Sequence, residues 1–259
     1  MIHVRLRVFD RPPILSVPME MIPFWLGMAP SISVVFPMWN EEAYVHRAVA
    51  AAREAVSEVT ADWEIILVDD GSTDRTGELA DALARDDARI KVIHNRRNRK
   101  LGGTLRAGYA LAAKDLVAYS DADLPFDFKE LPRAVRLLDY QQADVLAAYR
   151  HDRTAEGPLR TLYTLAYTHL IRMLFKLRVR DVNFSFKLFR RSLLERIELK
   201  SEGSFIDAEF LVRAKKAGAS IIQIGVDYFP RSRGVSTLSS PRVIVNIFVE
   251  MARLWRELR

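Results

Sequence analysis

The chain has 259 residues, of which 49% are hydrophobic and 28% are charged, so it is long enough to bury the core of one large or two small α/β domains. It contains no cysteine, which excludes disulfides, thiolate metal sites and cysteine nucleophiles. The net charge of +6 suits phosphates or an anionic membrane surface. Because zinc-finger spacing and an aromatic-rich RNA-binding signature are absent from the sequence, we expect no nucleic-acid partner.

Residues 1–28 differ in composition from the rest of the chain. Their apolar stretch is interrupted by prolines and by Glu20, whereas a transmembrane helix needs about 20 mostly apolar residues. The stretch also lacks the small-residue cleavage site of a secretory signal. We expect residues 1–28 to form an extension or a surface-lying anchor, and the protein to be cytoplasmic, either free or peripheral on the cytoplasmic face of a membrane.

From Ser31 to Ser120, short apolar runs rich in β-branched residues alternate with segments that have helical spacing. This alternation predicts an α/β fold with a mostly parallel central sheet and helices on both faces. The predicted strands are SISVVF, EIILV, IKVIH and LVAYS, and the predicted helices are EEAYVHRAVAAAREAVSEV, TDRTGELADALARD and GGTLRAGYALAAK.

After Asp123 the alternation is less regular, but it continues without a clear linker. We therefore expect one domain over residues 29–239, with a nucleotide-binding half at 29–123 and a half at 124–239 that shapes the site of a different ligand. The second half has the predicted helices FKELPRAVRLL, LRTLYTLAYTHLIRMLFKL and IDAEFLVRAKKAG, and the predicted strands ADVLAAY, NFSFKLFRR and SIIQIGVDYF.

Residues 240–259 are predicted to form an amphipathic helix. Apolar residues from Val243 to Leu258 share one face, and Arg253 and Arg256 lie on or beside the other. Two interpretations remain open, namely a helix that packs on its own domain and a basic amphipathic helix that rests on a membrane.

Polar clusters follow three of the predicted strands, as FPMWNEE, VDDGSTD and SDADLP. In open α/β sheets, ligands bind beyond the carboxyl ends of the strands. Each cluster alone has a purely structural explanation, since Asp, Gly and Ser are turn residues and Asn40 is suited to cap the next helix. Three such clusters on one edge of a sheet indicate a binding site.

The clusters resemble the motifs of the family 2 glycosyltransferases, which have the GT-A nucleotide-sugar-binding fold. SVVFPMWNEE is similar to the family's V-V-I-P-x-Y-N-E-E, with Trp39 in place of tyrosine. VDDGSTD is unchanged, and NRKLGGTLRAG corresponds to N-R-G-x-G-x-A-x-x-x-G with Lys100 in place of the first glycine. Asp121-Ala122-Asp123 matches the D-x-D metal motif.

Within that family, the second half is similar to polyprenyl-phosphate sugar transferases related to dolichol-phosphate mannose synthase. DVNFSFK resembles their D-x-x-S-G-F-[RK], with Phe184 and Ser185 as departures and Lys187 as the retained cation. YFPRSRGVS resembles their F-x-x-R-x-x-G-x-S, with Arg231 at the arginine position.

The resemblance implies a GDP- or UDP-linked sugar as donor and inversion at the sugar's anomeric carbon. Asp121 and Asp123 would hold Mg²⁺ or Mn²⁺, which stabilises the diphosphate leaving group as a Lewis acid. Trp39 is suited to stack on the base, although a place in the core is the alternative. The residues expected to contact the nucleotide sugar are Pro37, Trp39, Asn40, Glu41, Asp69, Asp70, Gly71, Ser72, Lys100, Gly102, Gly103 and Ala122.

The acceptor implied by the resemblance is a polyprenyl phosphate, such as a dolichyl or undecaprenyl phosphate. Its dianion is already nucleophilic, so it needs positioning cations rather than a base. A hydroxyl acceptor would instead need a base, for which Asp207 is the candidate. The candidate cations are Arg150, Lys187, Arg231 and Arg233, and surface salt bridges are the alternative role for each.

Three functions therefore stay open. The first is transfer of a sugar to a polyprenyl phosphate at a membrane surface, and the second is transfer to a hydroxyl acceptor by a soluble enzyme. The third is a nucleotide-binding interaction module that has lost catalysis, which the intact D-x-D motif disfavours.

Overall fold

The computed structural model describes residues 29–152, 158–229 and 241–259. The predicted extension at 1–28 and the candidate cations Arg231 and Arg233 lie outside the described residues.

The first half, residues 29–123, forms the predicted alternation of strands and helices. Its four strands are parallel neighbours in the order β3-β2-β1-β4, as expected for apolar strands joined by helical crossovers. The elements are β1 (Ile32–Met38), α1 (Val45–Ser57), β2 (Trp63–Asp69), α2 (Thr76–Asp86), β3 (Ile90–His94), α3 (Lys100–Leu111) and β4 (Leu116–Tyr119).

The second half extends the same sheet to seven strands, in the order β3-β2-β1-β4-β6-β5-β7. Strand β6 runs antiparallel between β4 and β5, and β5 pairs in parallel with β7. The mostly parallel sheet is thereby confirmed. The elements are α4 (Glu130–Tyr140), β5 (Val145–Arg150), α5 (Pro158–Phe175), β6 (Lys187–Arg190), α6 (Ile206–Lys216), β7 (Ile221–Val226) and α7 (Pro241–Leu258).

Each face of the sheet is covered by its own hydrophobic cluster, because successive strand residues point to opposite faces. In β1, Val34 and Phe36 pack with the cluster that contains residues of α1 and α4, whereas Val35 packs with residues of α3 and α6. Burial on both faces explains why the strands read as continuous apolar runs.

Helix α7 packs on its own domain through one face, as the first of the two interpretations expects. Ile247 and Leu254 are buried in the cluster that includes α6. The outer face differs from the expectation of a basic surface, because Val245, Phe248 and Val249 are exposed there. Among the helices in the described part of the chain, none is long and apolar enough to cross a membrane.

Candidate active site

The carboxyl ends of β1, β2 and β4 lie side by side, so the three polar clusters share one edge of the sheet. Met38, the last residue of β1, is in register with Asp69, the last residue of β2. On the other side of β1, Val35 is in register with Tyr119, the last residue of β4. The predicted convergence of the clusters is therefore present in the fold.

Asn40 ties the loop after β1 to the loop after β2. Its Oδ1 accepts a hydrogen bond of 2.8 Å from the amide of Thr73, and its own amide donates to Oγ of Ser72 at 3.0 Å. Its φ of 55° is left-handed, a conformation that asparagine tolerates better than most residues. Helix α1 begins later, at Val45, so Asn40 does not cap it.

Asp69 is a buried carboxylate that organises the loop after β2. Its Oδ1 accepts a hydrogen bond of 3.0 Å from the amide of Ser72, and its Oδ2 lies 3.0 Å from Nδ1 of His94. Burial alone would raise the pKa of Asp69, but the hydrogen bonds from Ser72 and His94 outweigh it and hold that pKa below its usual value. Asp69 is therefore an ionised, fixed acceptor.

Asp70 is buried next to Asp69 and connects the same loop to the start of α3. Its Oδ1 accepts hydrogen bonds of 2.8 Å from Nδ2 of Asn95 and from the amide of Arg99. Gly71 follows with a φ of +70°, which favours glycine and allows the sharp turn. The interpretation of these residues as turn formers is therefore correct, and the turn forms one wall of the candidate site.

Trp39 is exposed to 45%, which excludes a place in the core. It directly follows Met38 of β1 and precedes Asn40. Pro37 lies within β1, and Glu41 is buried, with its amide donating to Oγ1 of Thr76 at 2.8 Å. An exposed indole at the strand end is available to a planar ligand.

The structure corrects the expectation for the glycine-rich start of α3. The amides of Gly102 and Gly103 both donate to the carbonyl of Glu202, at 2.8 and 3.2 Å, so they already have a protein partner. A Cβ on Gly102 would collide with the backbone of Ser201 and Glu202. These glycines allow close packing of α3 against that loop. Lys100 begins the helix with a φ of 58°.

Asp121 and Asp123 lie in the turn that follows β4, on either side of the buried Ala122. The amide of Leu124 donates to the carbonyl of Asp121 at 3.3 Å and closes the turn. The rings of Phe126 and Phe186 stack with centroids 4.4 Å apart, which anchors the chain after the turn to the core.

Two carboxylate side chains are hard oxygen ligands suited to Mg²⁺ or Mn²⁺. In the part of the chain that the structure describes, no group of three or more acidic, histidine or cysteine residues could hold a metal. Mg²⁺ is commonly held by one or two carboxylates together with substrate phosphates. The donor set of Asp121 and Asp123 therefore fits a cation that shares its coordination with a diphosphate.

Lys187 and Asp207 form a buried ion pair. Nζ of Lys187 donates to Oδ1 of Asp207 and, at 2.8 Å, to the carbonyl of Phe184. Burial raises the pKa of Asp207, although Lys187 opposes that shift. The lysine is thus a buried cation, and the carboxylate of Asp207 is its partner.

The side chain of Arg150 is also largely buried beside a carboxylate, with Nε 3.1 Å from Oδ2 of Asp181. Its guanidinium carbon lies 5.3 Å from the ring centroid of Phe184 and 5.2 Å from that of Tyr228. The alternative of a surface salt bridge is therefore wrong for Arg150 and for Lys187, because both pairs are buried.

The two halves of the sheet meet around Tyr119, because β4 pairs with β1 on one side and with β6 on the other. Burial, followed by the charges of Asp121 and Asp207, raises the pKa of Tyr119 well above its usual value. Nζ of Lys187 lies 5.5 Å from the centroid of the same ring. The D-x-D turn and the buried Lys187–Asp207 pair are thus electrostatic neighbours across β4 and β6.

Sequence reasoning missed two residues of this edge. Asp181, the partner of Arg150, is the first residue of DVNFSFK, so the motif itself contained the signal. His94 is the last residue of β3 and lies in register with Asp69, the last residue of β2. That pairing of two strand ends was the signal that could have identified it.

The order of this sheet and the acidic turn after β4 define a GT-A glycosyltransferase fold. Glucosyl-3-phosphoglycerate synthase from Mycobacterium tuberculosis, solved with Mn²⁺ and UDP-glucose, has this fold with a TM-score of 0.64 at 23% identity. The similarity covers 88% of this chain and 79% of that chain. It shows the fold alone.

A family model described as glycosyl transferase family 2 matches residues 33–198, and the chain belongs to that family. Glycosyltransferase AglD from Haloferax volcanii is 32% identical over 234 residues, covering 88% of this chain and 37% of that protein. Dodecaprenyl-phosphate galacturonate synthase from Rhizobium johnstonii is 31% identical over 209 residues, covering 79% of this chain and 61% of that protein. The matches thus span less than two thirds of either relative.

Proposed function

We propose that this protein transfers a sugar from a GDP- or UDP-linked donor to a polyprenyl phosphate, with inversion at the sugar's anomeric carbon. The observation that carries the proposal is the D-x-D turn at the same sheet edge as the loops after β1 and β2. The similarity to a dodecaprenyl-phosphate galacturonate synthase supports the acceptor class.

In this proposal, Asp121 and Asp123 hold Mg²⁺ or Mn²⁺ against the donor's diphosphate. When bound, the cation stabilises the negative charge that the leaving diphosphate gains. The turn that carries both carboxylates is closed by the Leu124 amide and anchored by Phe126, so the ligands are held in place before the donor binds.

The donor's nucleoside is proposed to bind beside the linked loops after β1 and β2. Trp39 offers an exposed ring for stacking on the base. Asn40 fixes one loop to the other, while Asp69 and Asp70 fix the turn behind them. The site is therefore largely preformed, which reduces the entropy cost of binding the donor.

The acceptor phosphate is proposed to lie on the side of β5 and β6. Arg150 and Lys187 are paired with carboxylates. Arg231 and Arg233 are candidates for direct contact by their place in the sequence motif. The pairing of Asp207 with Lys187 disfavours transfer to a hydroxyl acceptor, because a general base must reach its proton.

We propose a peripheral site of action on the cytoplasmic face of a membrane. Besides the outer face of α7, Leu162, Leu165 and Met173 of α5 are exposed, and Arg172 and Lys176 are exposed beside Met173. Apolar side chains flanked by cations are suited to the boundary between headgroups and acyl chains of an anionic bilayer.

The test is a transfer assay with a panel of UDP- and GDP-sugars and Mn²⁺, with and without a short-chain polyprenyl phosphate. We expect transfer to the lipid from one donor. Donor hydrolysis that the lipid leaves unchanged would redirect the search to hydroxyl acceptors. Absence of both donor turnover and donor binding would favour the interaction module.

A further inference from the structure

His94 lies between two carboxylates at the end of β3. Its Nδ1 is 3.0 Å from Oδ2 of Asp69 on β2, and its Nε2 is 3.0 Å from Oδ1 of Asp81 on α2. The histidine side chain is 44% exposed, whereas that of Asp69 is only 9% exposed. The ring therefore connects the buried carboxylate of Asp69 at the sheet edge to the exposed carboxylate of Asp81 on the surface of α2.

Only the protonated ring can satisfy both neighbours. A neutral imidazole carries one N–H, whereas the imidazolium carries two, and ionised carboxylates accept but do not donate. The hydrogen bond to Asp69 and then that to Asp81 raise the pKa of His94, against an opposing effect of burial. Asp69 and Asp81 are the titratable groups that face the ring from β2 and α2.

The ring has a direct route to the donor loops through Asp69. Oδ1 of Asp69 accepts a hydrogen bond from the amide of Ser72, and Oγ of Ser72 accepts one from the amide of Asn40. A Cβ on Gly77 would lie 2.8 Å from Oδ2 of Asp69 and 3.3 Å from the His94 ring, so the first turn of α2 encloses the contact. Movement of His94 would therefore remove the contact to Oδ2 and leave the carboxylate of Asp69 held, among the described residues, only by Ser72.

We infer that His94 is a positioning residue for the nucleotide donor. It acts by fixing the carboxylate of Asp69. The inference rests on the proposed function, because the ligand is taken to be a nucleoside diphosphate sugar. His94 itself does not touch the reacting atoms; it acts through Asp69 and the loop that contains Ser72.

The inference predicts a pH dependence of donor binding. As the pH rises through the pKa of His94 in the folded protein, the ring loses its charge and one of its two N–H donors. The remaining N–H is shared between Asp69 and Asp81 through the two tautomers of the neutral ring, so the fixation of Asp69 weakens. Donor affinity should then fall, by less than in His94→Ala. A His94→Asn variant keeps one N–H donor toward Asp69 but does not titrate, so its affinity should not change over the same pH range.

The experiment is calorimetric titration of wild type and variants with UDP and with GDP, each with Mn²⁺, across the pH range in which histidine titrates. We expect His94→Ala to weaken nucleotide binding about tenfold, the scale of one lost charge-assisted hydrogen bond. His94→Asn should stay within about threefold of wild type. His46→Ala, which removes an exposed histidine from α1, is the matched control.

Two readouts separate positioning from general loss of folding. The thermal midpoint of each variant shows whether it is folded at the titration temperature. NMR titration of the His94 ring in the ligand-free protein should show a lower pKa in an Asp81→Asn variant, because one of the two stabilising carboxylates is removed.

Each outcome decides the inference. If neither UDP nor GDP binds the wild type, the proposed function fails, and this inference fails with it. If a nucleotide binds the wild type and folded His94→Ala equally well, the inference alone is overturned. The inference alone is also overturned if His94→Asn keeps the pH dependence of nucleotide binding seen in wild type.

Discussion

The two halves of the sheet edge use their buried carboxylates differently. In the first half, residues 29–123, Asp69 and Asp70 accept hydrogen bonds from backbone amides and so give the loops their shape. In the second half, Asp181 and Asp207 lie against the cations Arg150 and Lys187. The first arrangement fixes the loops at the sheet edge, whereas the second keeps charge balanced inside the protein.

The largest expected effect comes from breaking a buried ion pair. Lys187→Met should lower the free energy of unfolding by about 3–5 kcal/mol, because it leaves Asp207 as an unpaired buried carboxylate. The double variant Lys187→Met/Asp207→Leu should regain most of that loss, since replacing both charges by apolar groups is often neutral. Urea unfolding followed by circular dichroism measures both.

The exposed pair Lys129–Glu54 supplies the control for that prediction. Its atoms are 3.5 Å apart and both side chains are more than half exposed, so Lys129→Met should cost at most about 1 kcal/mol. A Lys187→Met variant as stable as Lys129→Met would show that the buried pair is not closed in solution.

A smaller loss should follow from removing a buried carboxylate in the first half, residues 29–123. Asp70→Ala deprives Asn95 and the amide of Arg99 of their acceptor, which should cost about 1–3 kcal/mol of unfolding free energy. Nucleotide binding should weaken as well, because the turn loses its support. Asp70→Asn keeps one acceptor oxygen and should lie between wild type and Asp70→Ala in both measurements.

The smallest effect on stability is expected on the outer face of α7. Phe248→Ser should leave the unfolding free energy within about 0.5 kcal/mol of wild type, because the ring is exposed. It should nevertheless reduce flotation with acidic liposomes. Tyr140→Ser, which changes an exposed ring at the end of α4, is the matched control and should float like wild type. Equal flotation of the two variants would remove α7 from the membrane surface.

The strands were predictable because their burial on both faces leaves continuous apolar runs, as in EIILV. The direction of β6 was not, since an alternating segment such as NFSFKLFRR does not specify whether its neighbours are parallel. The contact between Gly102 and Glu202 was equally invisible, because the two residues are far apart in the chain and the loop motif alone suggested a phosphate.

The candidate site was predictable at the level of loops but not of contacts. The D-x-D turn, Asn40 and the Asp69–Asp70 pair are short motifs that the sheet brings to one edge. Whether Lys187 faces solvent or a carboxylate depends on the docking of α6 against β6, which no local pattern specifies. The exposed apolar face of α7 was not predicted, because its residues alternate along the sequence with those of the packed face.

The central claim is that Asp121 and Asp123 hold a divalent cation together with a diphosphate. Electron paramagnetic resonance of free Mn²⁺ tests it directly, in the presence and absence of UDP or GDP, with Asp123→Asn beside Asp127→Asn, which changes an exposed carboxylate nearby. With only two carboxylates at the turn, we expect the protein to capture Mn²⁺ strongly when the nucleotide is present and weakly without it.

Asp123→Asn should abolish that nucleotide-dependent capture beyond what the nucleotide binds alone, while Asp127→Asn should keep it. Capture that is unchanged in Asp123→Asn, or that does not depend on either nucleotide, would contradict the account.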